Sequence, residues 1–68
     1  MLLKVNGKAV ELAGPVELAG LVRQVTRREE TRGVAVALNG EVVGRGEWTT
    51  RAVCEGDDVE ILTATAGG

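Results

Sequence analysis

The chain contains no histidine, no phenylalanine and no tyrosine, and only one cysteine, one tryptophan and one proline. Each shortage excludes something. Without histidine, no Ser–His or Cys–His nucleophile pair can form within the chain. The single cysteine, Cys54, cannot close an intrachain disulfide, so nothing points to an oxidising compartment. One Cys and no His leave no zinc ligand set, and no metal site is expected. Cys54, with no base or second thiol to activate it, reads as a small buried hydrophobe. With one aromatic residue, the core must be aliphatic. At 68 residues the chain is one domain at most. A domain of this size buries only about 60% of the surface its unfolded chain exposes. It has no room for a catalytic pocket dug into its own core, so its work is expected at its surface or its ends.

What is present fits a small globular unit. Apolar residues make up 44%, above the range of disordered chains. The net charge of −2, with both signs interspersed, argues against the basic face of a general nucleic-acid binder. One segment, "RQVTRREETR", gathers Arg23, Arg27, Arg28 and Arg32. It reads either as a solvated helix end, where cations suit the negative pole of the helix dipole, or as a docking patch for an acidic partner. The opening "MLLKVNG" meets a charge and a turn too soon for a signal peptide or a membrane span. A cytoplasmic protein without a membrane partner is expected.

Hydrophobic patterning supplies the elements. Leu3 and Val5 alternate with Lys4 and Asn6, and Val10 and Leu12 alternate with Glu11. Between them Asn6-Gly7 offers the positive φ angles of a type I′ hairpin turn. Gly14 and Pro15 interrupt the strand. Leu18, Leu21, Val22 and Val25 then fall at helical spacing and make one apolar stripe. This helix lacks a side-chain N-cap. Pro15 is a candidate first residue behind Gly14, Glu17 suits the positive pole, and Gly20 costs about 1 kcal/mol against Ala. "VAVALNGEVV" is a second hairpin about Asn39-Gly40. Its first strand is apolar on both faces, Val34, Val36 and Leu38 on one and Ala35 and Ala37 on the other, so burial on both sides is expected. "GRGEWTTRAVC" reads as irregular, "EGD" as a tight turn with Gly56 at positive φ, and "DVEILT" as a last strand with Val59 and Ile61 inward.

The order hairpin, helix, hairpin, strand is α+β. It resembles the β-grasp, or ubiquitin-like, fold: a mixed sheet of four to five strands, the first and last parallel in the middle, with one main helix packed on one face. Residues 1–63 would form this domain and residues 64–68 a flexible tail reading "ATAGG". Glycines at a terminus are either simple fraying or the working part of the molecule.

The combination of "VNG" near the start, "GVAVALNGEVV", Arg45 and Trp48 in "GRGEW", "EGDDVEI" and the final "GG" is similar to the sulfur carrier family of thiamine biosynthesis, the ThiS family. The similarity spans nearly the whole chain. The family often has Pro where this chain has Gly44 before Arg45, Thr or Ser where it has Glu17, and Leu near Cys54. These departures touch stability and docking and leave the tail intact.

The resemblance implies a carrier rather than an enzyme, with no catalytic residue and no bound cofactor. An E1-like adenylyltransferase using ATP and Mg would activate the carboxylate of Gly68. A sulfur donor, a cysteine desulfurase or related protein, would supply a persulfide, and thiazole synthase would take the sulfur from the resulting thiocarboxylate. Gly67, Ala66 and Thr65 would serve tail recognition. An α-carboxyl has a pKa of about 3.3–3.7 and is an anion at neutral pH. Glycines have no Cβ to obstruct a narrow channel, and five extended residues reach at most about 17 Å. Arg45 and Trp48 are candidates for partner docking, Trp48 being equally suited to closing one end of the core. Rival readings are the sister carriers of molybdopterin synthesis and tRNA thiolation, a β-grasp regulatory binding module, and a protein modifier joined to lysine through Gly68.

Overall fold

A computed structural model describes residues 1–29 and 31–64. Both Asn-Gly pairs turn the chain as their chemistry requires. Asn6 and Gly7 have φ of 52° and 81°, and Asn39 and Gly40 have φ of 51° and 85°. The first turn joins β1 (Leu2–Val5) to β2 (Lys8–Glu11), and the second joins β4 (Val34–Leu38) to β5 (Glu41–Val43). Between the hairpins lie a short strand β3 (Val16–Glu17) and the helix α1 (Leu18–Thr26). A 3-10 turn (Arg45–Glu47), a second short strand β6 (Ala52–Val53) and the last strand β7 (Asp58–Thr63) follow.

Five strands form one sheet in the order β2-β1-β7-β4-β5. β1 and β7 are parallel, and the other neighbours are antiparallel. The last strand is therefore central, gripped by β1 on one edge and by β4 along its whole length on the other. The mixed sheet, its parallel middle pair and its single covering helix match the expected β-grasp arrangement. Alternation places Leu3, Val5, Val36, Val59 and Ile61 on the inner face, against Leu18, Leu21 and Val22 of the helix, all of them buried.

The start of the helix differs from expectation. Pro15 is not its first residue: Val16 and Glu17 pair with Val53 and Ala52 as a two-stranded ladder, and the helix begins at Leu18. Glu17 occupies the N-cap without a side-chain hydrogen bond. The capping is done from elsewhere in the chain. The N–H groups of Leu18 and Ala19 donate to the carbonyls of Arg51 and Trp48, at 2.9 and 3.0 Å, which satisfies two of the donors every helix start leaves open. Gly20 also has a tertiary reason. A Cβ there would lie 2.6 Å from Cγ2 of Val16, so the short strand can pack on the helix only where the side chain is missing. Val25, the last residue of the predicted stripe, is 41% exposed. The helix ends one residue later at Thr26, and Arg27 caps it as a non-glycine residue in the left-handed region at φ 58°.

Three further expectations are corrected. The segment expected to be irregular holds the 3-10 turn and β6. β4 is not buried on both sides. Only one face of the sheet carries a helix, so Ala35 on the other face is exposed and Ala37 half-buried. Cys54 is exposed, not buried. It follows Val53, which points into the core, and it opens the tight turn before β7. There its N–H donates to Oδ2 of Asp57 at 2.7 Å, and Gly56 takes φ 83° as predicted.

Candidate functional site at the exit of the last strand

Thr65, Ala66, Gly67 and Gly68 lie outside the described residues. The site is therefore described by the strand that delivers them and by the surfaces around its exit. β7 is held at its start and at Ile61 by the two Asn-Gly turns. At its start, the N–H of Asn39 donates to the carbonyl of Asp58 (2.7 Å), and its side-chain oxygen accepts from the N–H of Asp58 (2.9 Å). Two residues before its end, Oδ1 of Asn6 accepts from the N–H of Ile61 (2.8 Å), while Nδ2 of Asn6 donates to the carbonyl of Ile61 (3.1 Å). Beyond that point the N–H of Ala64 still donates to the carbonyl of Gly33, at 2.8 Å. The chain thus reaches Ala64 as part of the sheet.

Two surfaces flank this exit. On the helix-free face, Leu62 is 68% exposed and Val42 80% exposed. With Ala35, Ala37 and Glu60 they line a shallow hollow of about 110 Å³. Two exposed apolar side chains on one sheet face make this hollow a candidate contact surface. On the other face, a cleft of about 510 Å³ opens between the end of the helix and the end of β7, lined by Asn6, Val25, Thr26, Arg28, Ile61, Thr63 and Ala64.

The two candidate docking residues have different surroundings. Trp48 is buried, with 3% of its surface exposed, and its indole N–H donates to the carbonyl of Val43 at 3.0 Å. It closes the core, which is the second of the two roles the sequence allowed, and its ring is not offered to a partner. Arg45 is exposed. It donates from Nη2 to the carbonyl of Thr31 at 2.6 Å and holds its guanidinium 5.7 Å from the centre of the Trp48 ring. It ties the loop after the helix to the 3-10 turn. The arginine-rich segment splits likewise: Arg23 lies in the last turn of the helix, Arg27 caps it, and Arg28 reaches the cleft. Among the described residues no group of three or more His, Cys, Asp or Glu side chains could hold a metal ion. None of the described helices is long and apolar enough to cross a membrane.

A mixed sheet with parallel first and last strands, one helix across one face, and a central final strand leading out beside an apolar patch defines a ubiquitin-like β-grasp protein. Comparison with known proteins gives the particular branch. The ThiS family model matches residues 3–68, and the chain belongs to the ThiS family. It is 30% identical over 63 residues to the sulfur carrier protein ThiS of Escherichia coli strain K12, a match covering 93% of this chain and 92% of that protein. It resembles the crystal structure of the thiamine biosynthesis protein ThiS from Geobacter metallireducens with a TM-score of 0.80 and 34% identity, over the full length of both chains. The solution structure of a Geobacter metallireducens thiamine biosynthesis protein gives a TM-score of 0.79 at 34% identity, covering 100% of this chain and 88% of that one.

Sequence reasoning missed the apolar hollow and the Asn6 clamp. The hollow did have a signal. Ile61-Leu62 and Val42-Val43 are apolar doublets, and in a strand successive side chains face opposite ways, so one member of each must lie outside a one-sided core. The clamp had none, because Asn6 was fully accounted for as a turn residue.

Proposed function

We propose that the chain is a sulfur carrier of thiamine biosynthesis whose Gly68 carboxylate is the loaded group. The observation that supports this best is the central placement of β7 in a ThiS-family fold. The most thoroughly anchored strand of the domain leads directly toward "TAGG", beside an apolar surface that has no role in the core. The division of labour follows. The folded body docks, and the small residues Thr65, Ala66, Gly67 and Gly68 enter a partner's site.

The chemistry belongs to that partner. A carboxylate is a nucleophile but a poor electrophile. An E1-like adenylyltransferase binding ATP and Mg would let it attack the α-phosphorus, releasing pyrophosphate and forming an acyl-adenylate. A persulfide sulfur from a cysteine desulfurase or related donor then displaces AMP. A thiol then attacks the donor-side sulfur of the resulting acyl disulfide, forming a disulfide with the donor cysteine and releasing the carrier as a thiocarboxylate, which thiazole synthase consumes. Nothing in this sequence of steps asks the carrier for a general base or a nucleophilic side chain, which suits a chain without histidine. Arg45 serves by holding the loop beside the exit, and the Leu62–Val42 surface makes the docking contact.

The test is to mix the chain with the adenylyltransferase, ATP and a sulfur source and to read intact mass for exchange of one oxygen for sulfur. The full chain should load and a variant lacking Gly68 should not, with unchanged thermal stability. Normal loading by the truncated chain would overturn the proposal. Branched lysine conjugates in protein isolated from its own cells would favour a protein modifier instead.

A further inference from the structure

The cleft at the end of β7 contains an open strand edge. Along a strand, the N–H and C=O of one residue point to one side and those of the next residue to the other. The carbonyls of Asp57, just before β7, and of Val59 on it accept from the N–H groups of Lys4 and Asn6, and both backbone groups of Ile61 meet the Asn6 side chain. The odd-numbered residues therefore face β1. The even-numbered ones face β4, as the bonds of Asp58 to Asn39 and of Ala64 to Gly33 show. Thr63 continues the odd series. Its N–H and C=O point to the side where β1 would run, but β1 has ended at Val5 and the chain has turned away through Gly7. The Asn6 amide substitutes for one further residue of β1 and goes no further. Among the described residues nothing pairs with the backbone of Thr63 on that side, and Thr63 lines the cleft together with Asn6 and Ile61.

Resting on the carrier reading above, we propose that this edge is where the tail-receiving partner adds a strand. An extended segment of that protein takes up the line of β1 beyond Asn6 and pairs with the backbone of Thr63. The occupant is set by what the cleft offers: a backbone donor and a backbone acceptor at strand spacing, continuous with the tail, facing a wall that carries the cationic Arg28. Main-chain pairing on an exposed edge is a general mode of segment recognition. Here it would extend a sheet-like grip from the folded body onto the residues that lead to Gly68, past the point where β1 ends. The segment would present a carboxylate opposite Arg28.

The inference is tested by hydrogen exchange and by one substitution. In the free carrier the Thr63 amide should exchange fast while those of Leu62 and Ala64 are protected. In the complex with the adenylyltransferase that loads the wild-type chain, Thr63 should slow by about tenfold or more, the equivalent of one hydrogen bond at the upper end of its net worth. Thr63→Pro removes an N–H that the fold does not use and fixes φ at the last residue of the strand, on a side where no neighbour pairs. It should melt near the wild-type temperature and load about tenfold more slowly, while Thr63→Ala, which keeps the N–H, loads normally. Should Thr63→Pro fail to fold, the exchange data decide alone. A Thr63 amide already protected in the free chain, or unchanged on binding a partner that does load the wild type, overturns the strand-addition inference and leaves the carrier reading standing. A wild-type chain that is not loaded at all overturns both.

Discussion

Asn6 stands in for a strand residue against Ile61. Its amide receives the Ile61 N–H at 2.8 Å and gives a hydrogen bond to the Ile61 carbonyl at 3.1 Å. Its backbone, at φ 52°, makes the hairpin turn. One residue thus performs two tasks, and substitutions separate them. Asn6→Gly keeps the turn and loses both hydrogen bonds, at about 2 kcal/mol for two bonds of ordinary net worth. Asn6→Ala loses the bonds and also leaves in the left-handed region a residue that tolerates it less well than Asn or Gly, at roughly a further 1 kcal/mol. Denaturant titration should therefore rank Asn6 above Gly above Ala. Equal stability of the Gly variant and the wild type would show that the clamp contributes nothing.

Gly20→Ala should destabilise, against helix propensity. In an exposed helix the change would gain about 1 kcal/mol, but here the new Cβ meets Val16 Cγ2 at 2.6 Å. Val16 is β-branched and its backbone is held in a ladder with Val53, so it can yield only by leaving its preferred χ1 rotamer. The check is a double-mutant cycle. Val16→Ala should convert the Gly20→Ala penalty into a gain, with a coupling within the ~0.5–3 kcal/mol usual for contacting residues.

Trp48→Ala should cost about 3–5 kcal/mol, the usual cost of emptying a buried aromatic site. That is a large part of the ~5–15 kcal/mol a domain commands. Trp48→Phe retains most of the ring but leaves the Val43 carbonyl without its donor, for about 1–3 kcal/mol. Melting curves should show both losses in the isolated chain. An unchanged melting temperature with weakened partner binding would return Trp48 to the docking surface.

The amino group of Met1 gives the fold a measurable pH dependence. Its hydrogen bond to the Glu11 carboxylate, at 2.8 Å, raises its pKa above the ordinary value of 8.0. A raised pKa means that the folded state holds the proton more tightly than the unfolded state. The stabilisation is complete below the unfolded value and is lost as pH rises through the folded one. Melting temperature should fall across that alkaline window. Acetylation of the amine or Glu11→Gln should flatten the profile there, and an unaltered slope in both would remove this ion pair from the account.

Much of the fold is legible from residue chemistry alone, because its turns and alternations are local. Asn-Gly pairs need positive φ, and Val59 and Ile61 need one face. What local chemistry could not reveal is long-range. The helix start is capped by carbonyls of Trp48 and Arg51, some thirty residues away. β3 and β6 are two residues each, too short to show a period. Cys54 is small enough to sit on either side of a surface, and only the turn geometry puts it outside. The surfaces beside the exit of β7 depended on knowing which sheet face the helix leaves bare.

That bare face supports the last prediction. Leu62 lies outward on β7, two residues before Ala64, and is paired with Ala35 of β4. Val42 lies outward on β5, paired with Ala37. At 68% and 80% exposure neither contributes much to the core, so Leu62→Ser or Val42→Ser should change stability by no more than about 0.5 kcal/mol, as surface substitutions do. If the hollow they line is the contact that brings the tail to its partner, each change removes apolar area from the complex alone. Taking roughly 25 cal/mol per Å², the loss of most of a Leu side chain from a covered interface is worth about 2 kcal/mol, or some thirtyfold in affinity. Binding of each variant to the adenylyltransferase, measured by calorimetry beside its melting temperature, reads both quantities. Weakened binding in a normally stable variant identifies the hollow as the docking contact. Wild-type affinity in the double variant Leu62→Ser/Val42→Ser would move that contact elsewhere on the body and leave the exposed pair without a function.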